Sequence, residues 1–364
     1  MNIALVEICS YRSEKANASN IGSEDLYIST ESMVPNKGGI STASSIPETG
    51  RVSLFRQGDT LVSNIRPYFK KIWHADQNGY CSNDILVFKP NDAIASDYLY
   101  WLLSGNQFFD YVMATSKGTK MPRGDKSAIM NYAVPSNDET ARRMIVSIMN
   151  PIQSKIEANT KLNGYLEELC DALFLDFLEQ ADSSWHEGTL EELAEVKYGK
   201  DHKKLADGPY PVYGSGGFMR SAEKSLFSGE SVLIPRKGSL NNVMYVNEAF
   251  WTVDTMFFTV PRIPGAAKFL YQYVKRLDLA SMNSGSAVPS MTTSILNALS
   301  LPVPPRDSLL SFNAKLQSMY DAVRANNLEN RRLESLRDSL LPKLMTGEID
   351  VSKIDLTQLN SHLA

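Results

Sequence analysis

Two stretches of this 364-residue chain repeat one heptad pattern, 167 residues apart, which is the distance from Ile145 to Phe312. In both stretches the matched positions alternate steps of four and three, as the a and d positions of a coiled coil do. We call them the seam positions. The first set is Ile145, Met149, Ile152, Ile156, Asn159, Asn163, Leu166, Cys170, Leu173 and Phe177, and the second is Phe312, Leu316, Met319, Val323, Asn326, Asn330, Leu333, Arg337, Leu340 and Leu344.

The shared polar positions predict that the two helices meet each other. An apolar stripe alone is more typical of a helix that faces its own domain core. Asparagine at a seam position lowers stability but fixes register and partner, and both copies carry it at the same two places. Arg337 interrupts the second seam, and we expect the neighbouring Leu336, which matches Leu169, to replace it there.

Prolines and a glycine mark expected helix boundaries. Pro151 follows Asn150, a residue suited to an N-cap, so the first helix should restart or kink there. Pro342 and Gly347 should end the second helix.

The repeat continues upstream of each helix. "QGDTLVSNIRP" (57–67) matches "SGESVLIPRKG" (228–238), and "SKGTKMPRGDKSAIMNYAVP" (116–135) matches the segment 283–304. Short β-branched and aromatic runs bounded by Gly, Pro, Asn and Asp predict strands, and 97–113 and 266–281 predict helices. The fold class is α+β: two strand-rich mixed α/β domains in tandem, separated and followed by long helices that form an antiparallel coiled coil with pseudo-twofold symmetry. The expected segments are 1–138 and 181–306 for the domains, 139–180 and 307–348 for the helices, and 349–364 for a tail.

Composition excludes several classes of protein. The net charge is −4, so any contact with nucleic acid must be local. No apolar run approaches the roughly 18 residues that span a bilayer, and the N-terminus does not resemble a signal peptide. The three cysteines form no C-x-x-C pair, which argues against a disulfide framework and a zinc site. We expect a cytoplasmic protein with reduced thiols and no metal site.

The duplicated plan fits duplex DNA, which has twofold axes of its own. Two similar domains with different side chains could each read one half of a bipartite target. The length of the helices would then set the distance between the two half-sites.

Two segments resemble a known family. "LRDSLLPKLMTGEI" (336–349) and the stretch 229–258 are similar to the specificity subunit of type I restriction–modification systems, which serve in host defence. The resemblance implies two target-recognition domains with helical spacers, no catalysis and no cofactor in the subunit itself, and binding to double-stranded DNA. It also implies assembly with two methyltransferase subunits and with restriction subunits. The chain begins almost directly at "ALVEICS", so we expect its first domain entry to match "TLEELAEVKYGK" only loosely.

Polar loops in both domains are candidate DNA contacts, because Arg and Asn hydrogen-bond base edges and glycine lets backbone N–H groups approach phosphates. For each loop the alternative is an ordinary solvated turn. The candidates in the first domain are Arg66, Tyr68, Lys70, Lys71, Lys117, Lys120 and Arg123. Those in the second are Lys200, Tyr213, Ser215, Arg236, Lys237, Ser239, Asn241 and Asn242.

Catalytic motifs are missing from the sequence. No Asn/Asp-Pro-Pro-aromatic segment of an amino-methyltransferase occurs, and the four histidines have no metal-binding spacing. Asp84 and Asp254 occupy matching strands and are expected to be structural. The second hypothesis is a coiled-coil scaffold that assembles other proteins without reading DNA, and a self-sufficient methyltransferase or nuclease is the third.

Overall fold

The computed structural model describes residues 2–91, 94–282 and 290–350. The chain forms two compact units: unit 1 combines Met1–Asn159 with Leu328–Ala364, and unit 2 is Thr160–Asn327. Each unit thus contains one strand-rich region and parts of both long helices. This grouping differs from the division in chain order expected above, because each long helix belongs to both units.

The described residues of the strand-rich region of unit 1 form ten strands, three short α-helices and three single-turn 3-10 helices. Strands β2, β9, β6 and β7 form one four-stranded antiparallel sheet, β3, β5, β8 and β4 form a second sheet, and β1 pairs with β10. The bounds are β1 Asn2–Ala4, β2 Cys9–Tyr11, β3 Lys15–Asn17, β4 Tyr27–Ile28, β5 Arg51–Phe55, β6 Thr60–Ser63, β7 Ile72–His74, β8 Gly79–Cys81, β9 Ile85–Pro90, α1 Ser96–Ser104, α2 Asn106–Ala114, α3 Lys126–Met130 and β10 Ala133–Pro135.

The long helix α4 follows, and then come the strand-rich region of unit 2 and the second long helix, α8. A six-stranded sheet has the order β12-β17-β15-β16-β13-β14, and β11 pairs with β18. The bounds are α4 Glu139–Glu179, β11 His186–Thr189, α5 Leu190–Leu193, β12 Ala194–Tyr198, β13 Tyr210–Gly214, β14 Gly217–Ala222, β15 Phe227–Pro235, β16 Met244–Thr252, β17 Met256–Pro261, α6 Ala266–Val274, α7 Thr293–Asn297, β18 Ser300–Val303 and α8 Arg306–Thr346.

The two strand-rich regions share one four-stranded arrangement, as the internal repeat predicts. The antiparallel order β2-β9-β6-β7 in unit 1 recurs as β12-β17-β15-β16 in unit 2, and each unit adds a two-stranded ribbon. The other strands differ: β3, β5, β8 and β4 form a separate sheet in unit 1, whereas β13 and β14 extend the shared sheet in unit 2. The helix expected over 97–113 is instead two helices, because Gly105 adopts an extended conformation between them. The helix expected over 266–281 ends at Val274.

The entries to the two regions match closely, so the expectation of a loose match is wrong. Leu5 N donates to Tyr132 O at 2.9 Å, and Leu190 N donates to Leu299 O at 3.0 Å. In the turn that follows, a glutamate accepts from the backbone three residues before it. The pairs are Ala4 N to Glu7 Oε1 at 2.8 Å and Thr189 N to Glu192 Oε1 at 2.9 Å. "ALVEIC" and "TLEELA" are therefore equivalent segments.

In unit 1 the two long helices pack antiparallel. Ile152 and Ile156 of α4 form a buried cluster with Leu333 of α8. Asn159 Nδ2 donates to Asn330 Oδ1 at 2.9 Å, and Gln153, earlier in α4, accepts from Arg337, later in α8, so the two helices run in opposite directions. Leu340 packs against this cluster and is partly buried.

The same antiparallel pairing occurs in unit 2. Asn326 Nδ2 donates to Asn163 Oδ1 at 2.8 Å, and the ring of Phe177 stacks on Phe312 with centroids 4.4 Å apart. Of the other seam residues of this unit, Cys170 and Leu316 are buried. The half-buried ones are Leu166, Leu173, Met319 and Val323. The prediction that the two helices meet each other along the seam is confirmed in each unit.

The seam departs from expectation at Arg337. Its side chain lies on the seam with 3% of its surface exposed, and Nη1 donates to Gln153 Oε1 at 3.0 Å. Leu336 is 41% exposed and does not replace it, and its match Leu169 is 50% exposed. A guanidinium can occupy a buried seam where an amide and a carboxylate satisfy its N–H groups.

Both prolines lie inside unbroken helices, so neither ends or restarts one. Pro151 lies within α4 and Pro342 within α8, which ends only before Gly347 at φ 74°. Asn150 is not an N-cap, since its Oδ1 accepts from Trp101 Nε1 at 2.7 Å and its Nδ2 donates to Asp97 at 2.8 Å. A proline removes one backbone hydrogen bond, which packing along the rest of a 41-residue helix offsets.

Candidate nucleic-acid interface

In unit 2 three loops converge at one end of the strands of the six-stranded sheet. One loop follows β12, one follows β15, and the third connects β16 to β17. Lys200 N donates to Thr252 O at 2.9 Å, and Arg236 N donates to Thr255 O at 2.8 Å. These backbone hydrogen bonds place two candidate basic residues on loops anchored to the same turn.

Arg236 is held in a defined orientation. Its guanidinium carbon lies 5.5 Å from the ring centroid of Tyr198, and Nη1 donates to Asp254 O at 3.2 Å. Tyr198 is 50% exposed, and Lys237 next to Arg236 is exposed. An arginine stacked on an aromatic ring loses little side-chain entropy when its N–H groups bind a base edge or a phosphate.

A β-bridge fixes the loop that follows β6 in unit 1 and β15 in unit 2. In unit 2, Lys237 forms a β-bridge with Ser290 beyond α6. In unit 1, Ile65 forms the equivalent bridge with Arg123. The loop after β6 or β15 is thus clipped to the segment that precedes α3 or α7, which brings the two candidate basic segments of unit 1 together.

The asparagines of the unit 2 loop have structural partners. Asn242 Nδ2 donates to Ser215 O at 2.8 Å, joining the loop to the β13–β14 turn. Asn241 Nδ2 donates to Asp278 Oδ1 at 3.1 Å, and its Oδ1 accepts from Ala280 N at 3.0 Å. Asn241 and Asn242 therefore hold the loop, whereas Ser239 on the same loop is exposed.

Tyr213 does not belong to the exposed face. It is 7% exposed, and its hydroxyl donates to Glu248 Oε1 at 2.6 Å. Phe218 and Met219, at the end of the same hairpin, are 53% and 54% exposed. Sequence reasoning missed these two, although an apolar pair directly after the turn "GSGG" is a signal that could have found them.

In unit 1 the loop after β6 presents Arg66, Tyr68 and Phe69. Arg66 adopts a left-handed backbone with φ 50°, and its N–H donates to Pro122 O at 2.9 Å. Tyr68 and Phe69 are 47% and 38% exposed, with ring centroids 4.6 Å apart. Exposed paired rings beside an arginine can stack on bases or on sugar faces.

Lys70 and Lys71 have partners within the protein. Lys70 Nζ donates to Asn106 Oδ1 at 2.9 Å, and Lys71 Nζ donates to Thr30 O at 2.7 Å. Burial lowers the pKa of Lys71, partly offset by the charge of Glu31. Both ammonium groups therefore stabilise the loop from within, and we do not include them in the exposed face.

The loop 116–125 carries the remaining candidate basic residues of unit 1, which are Lys117, Lys120 and Arg123. Lys117 Nζ lies 2.5 Å from Asp125 Oδ2, and the hydrogen bond to Asp125 raises the pKa of Lys117. Arg123 Nη2 lies 3.2 Å from Asp84 Oδ1, so Asp84 has an arginine partner. Lys120 is exposed. Exposed ion pairs are weak, and a DNA phosphate can compete with them. The matching segment, 283–290, lies almost entirely outside the described residues.

Other kinds of site lack support in the part of the chain that the structure describes. No cluster of three or more His, Cys, Asp or Glu side chains is arranged to hold a metal ion there. Within the same ranges, no helix combines the length and apolarity required to cross a membrane. The arrangement can bind a polyanion through basic loops and stack on its bases, and the residues gathered in these loops do not form a nucleophile–base pair.

Comparison with known proteins points to one family. Residues 182–336 match the family model described as "Type I restriction modification DNA specificity domain". A specificity subunit of the type I restriction enzyme HindI from Haemophilus influenzae is 23% identical, over 89% of this chain and 94% of that protein. The specificity subunit of type I restriction enzyme MjaIX from Methanocaldococcus jannaschii is 22% identical, over 73% and 72%.

A solved structure has the same fold. It is the S subunit of a type I restriction–modification system from M. genitalium, with a TM-score of 0.59 and 17% identity. The superposition covers 95% of this chain and 96% of that one. The similarity therefore extends over both strand-rich regions and both long helices.

Proposed function

Because the chain belongs to the specificity subunits of type I restriction–modification systems, we propose that it reads a bipartite DNA target. It selects the sequence, and catalysis is the task of the subunits that it binds. The observation that carries the proposal is the duplicated sheet, in which the loop after β6 or β15 places an arginine with an aromatic ring: Arg66 with Tyr68 on the same loop in unit 1, and Arg236 over Tyr198 of β12 in unit 2. Each unit would read one half-site.

The proposed DNA contacts are the exposed and half-buried candidates on the loops of the two units. In unit 2, Arg236 stacked on Tyr198 would read a base edge, since arginine binds guanine bidentately. The phosphate and sugar contacts of this unit would come from Lys200, Ser215, Lys237 and Ser239. In unit 1, Arg66 and Tyr68 would take the reading role, and Lys117, Lys120 and Arg123 the phosphate contacts.

The partners in this proposal are double-stranded DNA, two methyltransferase subunits and, for cleavage, restriction subunits. An apolar stripe on α4 supports a protein partner on the helices: Leu162, Tyr165 and Leu169 are 47%, 55% and 50% exposed. At 100° per residue these three side chains lie within about 60° of arc. We propose that a methyltransferase subunit covers this stripe, and that the complex acts in the cytoplasm.

The helices are proposed to set the spacing between the half-sites. Because α4 and α8 pair through Asn159 and Asn330 in unit 1, and through Asn163 and Asn326 in unit 2, their registers are linked. A heptad added to α4 alone would break one of these pairs. Seven residues added to both helices should therefore change the spacer of the DNA target and leave both half-sites unchanged.

Methylome sequencing tests the proposal. Cells without other DNA methyltransferases would express the chain with its cognate methyltransferase subunit, and the subunit alone would serve as the control. We expect methylation at one bipartite motif with a fixed spacer only when the chain is present. A complex that assembles but methylates no defined motif, and prefers no duplex over random DNA, would contradict the proposed function.

A further inference from the structure

Two strained backbone segments meet in unit 1. Among the described residues, those other than glycine with a left-handed backbone are Asn36, Lys37, Arg66 and Lys70. Asn36 N donates to Phe69 O at 2.8 Å, and Lys37 N donates to Lys70 O at 2.9 Å. The turn at 36–37 thus binds the carbonyl groups of the loop that presents Arg66. Clustered left-handed residues persist only where the surroundings fix them.

The turn itself has a conformation that lysine disfavours. Gly38 N donates to Pro35 O at 3.2 Å, which closes a β-turn with φ 56° and 64° at its central residues Asn36 and Lys37. Both central residues of such a turn need a left-handed backbone, for which asparagine and glycine are the usual residues. The lysine at the second position therefore needs another explanation.

The contacts of the Lys37 side chain explain why a lysine occupies the second central position of the turn. Lys37 is 4% exposed, and its Nζ donates to Asp338 Oδ1 of α8 at 2.9 Å. The same oxygen accepts from Arg337 Nε at 2.9 Å, and Arg337 binds Gln153 of α4. Burial lowers the pKa of Lys37, and the hydrogen bond to Asp338 opposes that shift. A buried ammonium group without this carboxylate would be costly, so the ion pair fixes the turn on the helix.

We infer that Lys37 is a positioning residue, whose ion pair with Asp338 sets the conformation of the 66–70 loop and thereby the base choice of unit 1. Lys37 touches no DNA in this mechanism. It acts through the hydrogen bonds from 36–37 to 69–70, which hold Arg66 and the exposed ring of Tyr68 in place. The inference rests on the proposed function, since it names what controls one of the two reading loops.

The test compares three variants of the chain assembled with its methyltransferase subunit. Lys37→Met removes the ammonium group, and Asp338 keeps Arg337 as its partner. Asp338→Asn keeps an acceptor oxygen but removes the charge. Lys343→Met is the matched control, because Lys343, on the same helix as Asp338, forms an exposed pair with Glu348 beyond the end of that helix. Each complex would be tested for discrimination at every position of the two half-sites, with Arg236→Ala marking the half-site of unit 2.

We expect Lys37→Met to reduce the discrimination between bases at least tenfold in one half-site. This is the half-site at which Arg236→Ala leaves the discrimination unchanged. Asp338→Asn should show a smaller loss in the same half-site, and Lys343→Met none. A Lys37→Met complex that assembles and reads both half-sites as the wild type does would overturn the inference. If Lys37→Met fails to assemble, unchanged reading by Asp338→Asn overturns it and selective relaxation supports it. A wild-type complex without a bipartite preference would instead refute the proposed function itself.

Discussion

Asn159 of α4 donates a 2.9 Å hydrogen bond to Asn330 of α8, and both side chains are less than 10% exposed. The sequence repeat places these two residues at different seam positions of their helices, because antiparallel packing pairs the fifth position of one with the sixth of the other. Asn163 and Asn326 pair in the reciprocal way at 2.8 Å. The asparagines at the two seam positions of the repeat thus pair with each other across the helices.

Replacing both Asn159 and Asn330 with leucine should raise the melting temperature. The double variant removes two buried amides and adds apolar contact in the seam. We expect a gain of about 1 kcal/mol, or ~2–4 °C, and a lower stability for Asn330→Leu alone than for the double variant. Thermal unfolding followed by circular dichroism measures this. A double variant less stable than the wild type would mean that the pair contributes net stability.

Arg337→Ala should destabilise the chain, and Leu336→Ala should not. Removing the buried guanidinium leaves Gln153 without its 3.0 Å partner, at a cost of about 1–3 kcal/mol. Leu336 is 41% exposed, so its truncation should change the free energy of unfolding by less than about 0.5 kcal/mol. Urea unfolding of both variants measures the difference. Equal effects would place Leu336 on the seam after all.

Arg236→Ala and Lys237→Ala should affect DNA binding differently. Loss of the oriented arginine should relax base choice in one half-site, whereas loss of the exposed lysine should weaken binding to all sequences and reduce the salt slope by about one. Titrations of the assembled complex at several salt concentrations measure both effects. Lys315→Ala, at an exposed position of α8, is the control. Unchanged affinity with intact assembly would favour a scaffold that does not read DNA.

Leu162→Lys combined with Leu169→Lys should weaken assembly with the methyltransferase subunit. A charge within the apolar stripe must be desolvated when a partner covers it, and we expect at least a tenfold loss of affinity. Leu175→Lys is the matched control, because Leu175 is also 50% exposed on α4 but lies about 110° from the centre of the stripe. Analytical size-exclusion with titrated subunit distinguishes them. An equal loss in the control would show that the stripe has no special role.

The three thiols should resist modification in the folded protein. Burial raises the pKa of Cys9 and Cys81 to about 12 and that of Cys170 to about 11. The thiolate fraction at pH 8 is then on the order of one in 1,000 or less, so a disulfide reagent should react slowly. Reaction should be complete in guanidinium chloride. Rapid labelling of the native chain at pH 8 would indicate that one of these sites opens.

Sequence periodicity predicts the long helices well, because a seam repeated over many turns is a strong local signal. The strands containing "TLVS" and "MFFTV" are also predicted, because their β-branched and aromatic composition is a local signal too. The occupant of the seam at Arg337 and the burial of Tyr213 could not be predicted, since both depend on partners such as Gln153 and Glu248 that are distant in the sequence. The roles of Asn241 and Asn242 were hidden in the same way, as their amides bind residues 278–280 and Ser215.

The division of the chain between its units has a consequence for synthesis on the ribosome. Unit 2 is one uninterrupted segment, Thr160–Asn327, while the core of unit 1 contains Leu341 and Leu344 of α8. The apolar surface of the amino-terminal region is therefore covered only after nearly the whole polypeptide has been synthesised. The middle segment can complete its own core earlier. Nascent chains arrested before residue 340 should accordingly expose the amino-terminal region to protease and leave the middle segment protected.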